Sequence, residues 1–163
     1  MRKMLLMPLI VSMVALLFVL PIPVKSTQPT EANGTFDYTF EILNMRFAGP
    51  NTFLYAVEHD TWTGTFTGTS ESFFRVGIFS KAGFWNVWLE GTFTGWVLDK
   101  YGTMTFNLVG KKPDGGEWYG QWVILSGTGD LKDLHGQGNW WGPGFGAPGP
   151  DIYYSGNIHF ELS

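Results

Sequence analysis

The sequence predicts an all-β domain rolled into a closed antiparallel barrel, behind a cleavable apolar leader. Three observations carry this. Past residue 30 no segment sustains a helical period; apolar or aromatic residues alternate with polar ones in short runs cut by glycine and Asn/Asp turns. All 22 glycines lie beyond residue 26, beside nearly all of the aromatic residues. Several of those glycines share a strand face with large aromatic rings, which lets a narrow sheet curve and taper; a flat sandwich needs fewer of them.

The leader comes first. Arg2-Lys3 precedes a 17-residue apolar run, Met4–Leu20, and Pro21-Ile22-Pro23 ends any helix there. Val24-Lys25-Ser26 offers a processing site, so cleavage is expected after Ser26, with an uncleaved anchor as the competing reading. The processed protein would then be secreted or extracytoplasmic, with no membrane span left. Residues 27–33 read as a short polar tether, and residues 34–163 as the domain.

The strands follow in order. Phe36, Tyr38, Phe40 and Ile42 alternate with Asp37, Thr39 and Glu41. Phe53, Tyr55 and Val57 come after the Gly49-Pro50-Asn51 turn. Trp62, Gly64, Phe66 and Gly68 alternate with threonines and read as a single run. Phe74, Val76 and Ile78 make the next. Trp85, Val87, Leu89, Gly91, Phe93 and Gly95 form a long one, then Met104, Phe106 and Leu108. A hairpin turn at Lys111–Gly116 leads into Trp118–Leu125, and Gly136–Trp141 and Ile152–Leu162 close the series. Eight or nine strands with short links favour antiparallel neighbours. Asp130–Leu134 supports one helical turn at most.

Composition narrows the function. Three of the ten Lys/Arg residues precede Thr27, so the remainder carries seven bases against fourteen acids, formally −7. Such a chain is poorly suited to phosphate backbones, and no nucleic-acid partner is expected. The absence of cysteine removes disulfides, thiolate metal sites and thiol nucleophiles. Three scattered histidines, His59, His135 and His159, give no metal-ligand spacing. No cofactor is expected: Gly144, Gly146 and Gly149 satisfy a dinucleotide spacing, but prolines surround them and no helix follows.

The run Trp118–Gly138, the segment Tyr154–Phe160 and Gly91-Thr-Phe-Thr-Gly95 together resemble the allene oxide cyclase-like (calycin-like) barrels. They are most similar to a bacterial and archaeal group of domains of unknown function within them. The resemblance covers residues 34–162 and rests on glycine spacing. It implies an eight-stranded antiparallel barrel with a ligand-sized mouth. No catalytic residue is carried over by it. By analogy it also suggests a homo-oligomer.

Candidate ligand-binding residues follow from phase. Tyr38, Tyr55, His59 and Tyr154 alternate with apolar residues on their strands. With Trp62, Phe66, Trp85, Phe93 and Phe106 they would line a barrel suited to a small hydrophobic or aromatic molecule. The Gly/Pro-rich stretch 142–150 reads as a loop at the mouth, with Trp140, Trp141 and Phe145 as lid candidates. In Glu58-His59-Asp60 only the two carboxylates could share a face. Two functions stay open: binding without chemistry, or a cyclase or isomerase that needs only shape and one or two donors. Adhesion through outward Trp88, Trp96, Tyr119 and Tyr153 is a third, weaker option. A side-chain-filled interior would remove the first two.

Overall fold

The computed structural model describes residues 28–161; the leader and its cleavage site lie outside the described residues. Eight strands run in sequence: β1 (Thr30–Ala48), β2 (Asn51–Gly64), β3 (Phe66–Phe79), β4 (Phe84–Val97), β5 (Lys100–Pro113), β6 (Trp118–Gly129), β7 (Leu134–Gly142) and β8 (Ile152–Phe160). Each pairs antiparallel with the next, and β1 pairs with β8, so the ring closes and leaves no sheet edge. The first four residues of β1, read from the sequence as tether, already pair with β8 (Thr30 opposite Ile158).

Boundaries differ from the sequence reading in two notable places. β5 runs on to Pro113, into the expected hairpin turn. The run Trp62–Gly68 is two strands, because the chain reverses at Gly64-Thr65, where Gly64 adopts φ +102°. The inner face continues through the reversal, so alternation alone cannot reveal it. The Asp130–Asp133 segment is a turn rather than a helix, and its Leu131 and the following Leu134 are fully buried against one end of the ring.

That end is closed and the other is open. Near the Leu131 end the interior is solid: Trp62, Phe66, Phe93, Phe106, Trp122 and Tyr154 are all buried and pack ring on ring, Phe66 stacking on Tyr154 at 5.1 Å. Glycines make room for them in facing pairs. Gly68 lies opposite Gly95, and a Cβ on either would sit within 3.1 Å of the Phe93 ring. Gly138 lies opposite Gly156, and a Cβ on either would sit within 2.7 Å of the Trp122 ring. Tyr154 closes the bottom. Its hydroxyl accepts the Phe66 N–H (2.9 Å) and donates to the Thr63 carbonyl (3.1 Å), and burial pushes its phenol up to about 12.

Candidate functional site

Counting back by twos from Trp62 puts Asp60, Glu58, Ala56 and Leu54 inside the ring, since β2 is unbroken over that span. The two carboxyls therefore stand one above the other on the inner face, midway between the ends. Both are buried, with no basic side chain paired to them. Neighbouring strands supply the partners. Ser70 and Ser72 on β3 donate to Asp60 Oδ2, the second at 3.4 Å, and Trp62 Nε1 donates to Ser70 Oγ at 2.8 Å. Asp60 Oδ1 receives no donor. Two carboxyls this close in a buried site resist ionising together, so the pair favours keeping a proton.

Burial and then the Asp60 charge raise the Glu58 carboxyl well above the ordinary range. Burial raises Asp60 too, but the serine hydrogen bonds oppose the rise. Both carboxyls are thus pushed toward their neutral forms, Glu58 with no serine to oppose it.

Above this floor opens a cavity of about 300 Å³. Its walls are Phe36, Phe40, Phe74, Trp85, Trp118 and Trp140, with Leu54, Val76, Leu89 and Leu108 between them. Glu58 reaches it from below and Lys112 from the rim, where the ammonium sits 5.6 Å from the Trp85 ring and 5.8 Å from Trp118. The volume is about twice that of an apolar protein cavity known to take up benzene.

The 143–151 loop covers one side. Tyr38 Oη accepts the Phe145 N–H at 3.0 Å, and the Phe145 ring lies 5.5 Å from Phe40 and 6.0 Å from Tyr38. Asp151 pins the loop at its base. Its carboxylate accepts the Tyr38 N–H (3.1 Å), while its own N–H donates to Asp37 Oδ1 (3.0 Å). Phe145 remains 59% exposed, so the cover rests on the rim without sealing it. Burial pushes the Tyr38 phenol up to about 12.

Of the residues singled out by phase, Tyr38, Trp85, Trp140 and Phe145 come together at this cavity. Trp62, Phe66, Phe93, Phe106 and Tyr154 point inward but belong to the solid half, below the acid pair. Three residues lie outside the ring. Tyr55 and His59 are odd-numbered on a strand whose even positions face inward; Tyr55 stacks on Phe73, and His59 pairs with Glu71 at 3.7 Å. Trp141, next to inward Trp140, stacks on Tyr153 on the outer surface. Glu58, Trp118 and Lys112 were missed, although counting from Trp62 would have found the first.

No family model matches the sequence, and no curated protein does. A solved structure from Shewanella oneidensis MR-1, a protein of unknown function in the DUF3224 family, superposes with a TM-score of 0.69 at 17% identity. The match covers 83% of this chain and 100% of that one. The likeness is one of fold. It agrees with the expected barrel group of unknown function and leaves the activity to be argued from the site.

Proposed function

We propose that the open half of the ring binds one small, mostly apolar or aromatic molecule carrying an uncharged polar group. The observation that carries this reading is the cavity of about 300 Å³ with aromatic walls and the buried Glu58 carboxyl at its base. Aromatic walls reward burial of apolar area. A carboxyl held toward its neutral form puts no charge against an uncharged polar group of the ligand, whereas an ionised one would repel a carbonyl or ether oxygen. In this reading the protein works outside the cytoplasm after its leader is removed, and its finer kinship is with the allene oxide cyclase-like barrels.

The acid also supports a second reading. A carboxylic acid held neutral in a dry pocket can polarise a carbonyl or epoxide oxygen, and the walls can fold a flexible substrate against it. A cyclase or isomerase of that kind would need the pair's proton on Glu58 and turned toward the substrate oxygen.

The binding claim is tested by titrating the protein with N-phenyl-1-naphthylamine, a neutral apolar probe. Trp85, Trp118 and Trp140 should be quenched as the probe fluorescence rises. Leu89→Trp, which fills the cavity with an indole, should abolish the signal. Equal binding by both proteins would place the probe elsewhere and sink the reading.

A further inference from the structure

Charge is distributed unevenly along the axis of the ring. Five of the seven basic residues after Thr27 (Arg46, Arg75, Lys81, Lys111 and Lys112) lie in the open half, while the turns at the closed end hold Asp99, Asp130 and Asp133. The open end is formed by hairpin tips. Two of them, 43–53 between β1 and β2 and 77–86 between β3 and β4, contain Arg46 and Lys81 and no carboxylate. The β5–β6 tip balances Lys111 and Lys112 against Asp114 and Glu117.

The same two tips are apolar. Phe47 is 74% exposed at the end of its hairpin, with Leu43 and Met45 also exposed beside it. Phe53, Phe79 and Phe84 form a continuous aromatic ridge across the tips of β2, β3 and β4, with Phe79 stacked on Phe84 at 5.0 Å and edge-on to Phe53 at 5.9 Å. The cations lie over this ridge: the Arg46 guanidinium sits 4.4 Å from the Phe53 ring and the Lys111 ammonium 6.0 Å from Phe84. Apolar rings at the tip with bases flanking them match the layering of a bilayer interface, rings among the acyl chains and cations at the phosphates.

We infer that the β1–β2 and β3–β4 tips dock this protein, mouth first, on an anionic lipid surface. A second copy is a poorer occupant. Two sets of tips meeting face to face would oppose like charges, and the closed ring offers no strand edge to extend. Docked this way, the cavity opens toward the bilayer. The inference goes beyond the binding reading and does not require it, since lipid attachment needs only the tips.

The test is co-sedimentation of the chain from Thr27, which holds all eight strands and the whole ring, with two kinds of vesicle. One is phosphatidylcholine alone and the other is phosphatidylcholine mixed equally with phosphatidylglycerol. The mixed vesicles should pull down the protein, and the neutral ones much less. Arg46→Gln with Lys81→Gln should weaken partitioning roughly 25-fold, about five-fold per charge, and Phe47→Ser about ten-fold. Lys100→Gln with Lys132→Gln, at the closed end, should change it less than about two-fold, since both charges are remote from the surface. Equal losses in the two lysine/arginine pairs, or no preference for the anionic vesicles, would overturn the proposal. So would self-association in the absence of lipid that Phe47→Ser abolishes. The tip variants should still bind N-phenyl-1-naphthylamine without vesicles, which separates failure of docking from failure of the cavity.

Discussion

Replacing Glu58 with glutamine should make the protein more stable at neutral pH, against the usual effect of altering a buried polar group. In the unfolded chain Glu58 titrates near its ordinary 4.5. In the folded chain burial and the Asp60 charge raise it, so above that pH the native state holds a proton the unfolded state has lost. The sign follows directly. Stability from this group is fully present below about pH 4.5 and is lost as pH rises toward the folded value, at about 1.4 kcal/mol per pH unit. Glutamine stays neutral throughout, and its amide can still donate to Asp60 Oδ1, so the variant lacks this slope. Urea unfolding followed by tryptophan fluorescence between about pH 4.5 and pH 8 reads the difference. With a denaturant slope of about 1–3 kcal/mol/M, each pH unit below the folded value should separate the midpoints by roughly 0.5–1.4 M. Parallel pH profiles for wild type and Glu58→Gln would mean that Glu58 titrates normally, and the dry, proton-sharing floor would have to be abandoned.

Two further outcomes bear on the closed end. Tyr154→Phe strands the buried Phe66 N–H and frees the Thr63 carbonyl, and should cost about 1–3 kcal/mol by denaturant unfolding while leaving probe binding intact. Leu98 is the one non-glycine residue with positive φ among those described, at 58° in the β4–β5 turn. Its side chain is half exposed, so Leu98→Gly should relieve backbone strain and raise stability by about 1 kcal/mol in the same assay; a loss would show that the side chain contributes more than the turn strains.

How much of this was legible in the sequence depends on the strand. The period-two pattern identifies most of β4 and the middle of β5, because each keeps one phase, from Trp85 to Gly95 and from Met104 to Leu108. β2 misleads, since aromatic Phe53 and Tyr55 occupy the odd positions while acids occupy the even ones. Hydrophobicity selects the wrong face there, and only Trp62 and the continuity of the strand correct it. In β1 the shift of register between Ile42 and Asn44 inserts Leu43 and breaks the count near the rim. The acid pair could not be read from β2 alone, because what makes it tolerable (Ser70 and Ser72) arrives from β3 through pairing. The turn hidden at Gly64-Thr65 was invisible for a related reason: inward residues continue on either side of it. The lid loop, by contrast, was visible in its glycines and prolines, and its aromatic contact through Phe145 followed from being the lone ring within it.

An even count of antiparallel passes has a topological result. Thr30 lies opposite Ile158, so the chain enters and departs through the same base, beside Leu131 and away from Phe145. Anything joined directly ahead of Thr30 or just after Phe160 would therefore hang from the plugged side, like a cup held by its foot. Attachment to a sensor chip at either of those points should leave the aromatic bowl facing outward, unobstructed.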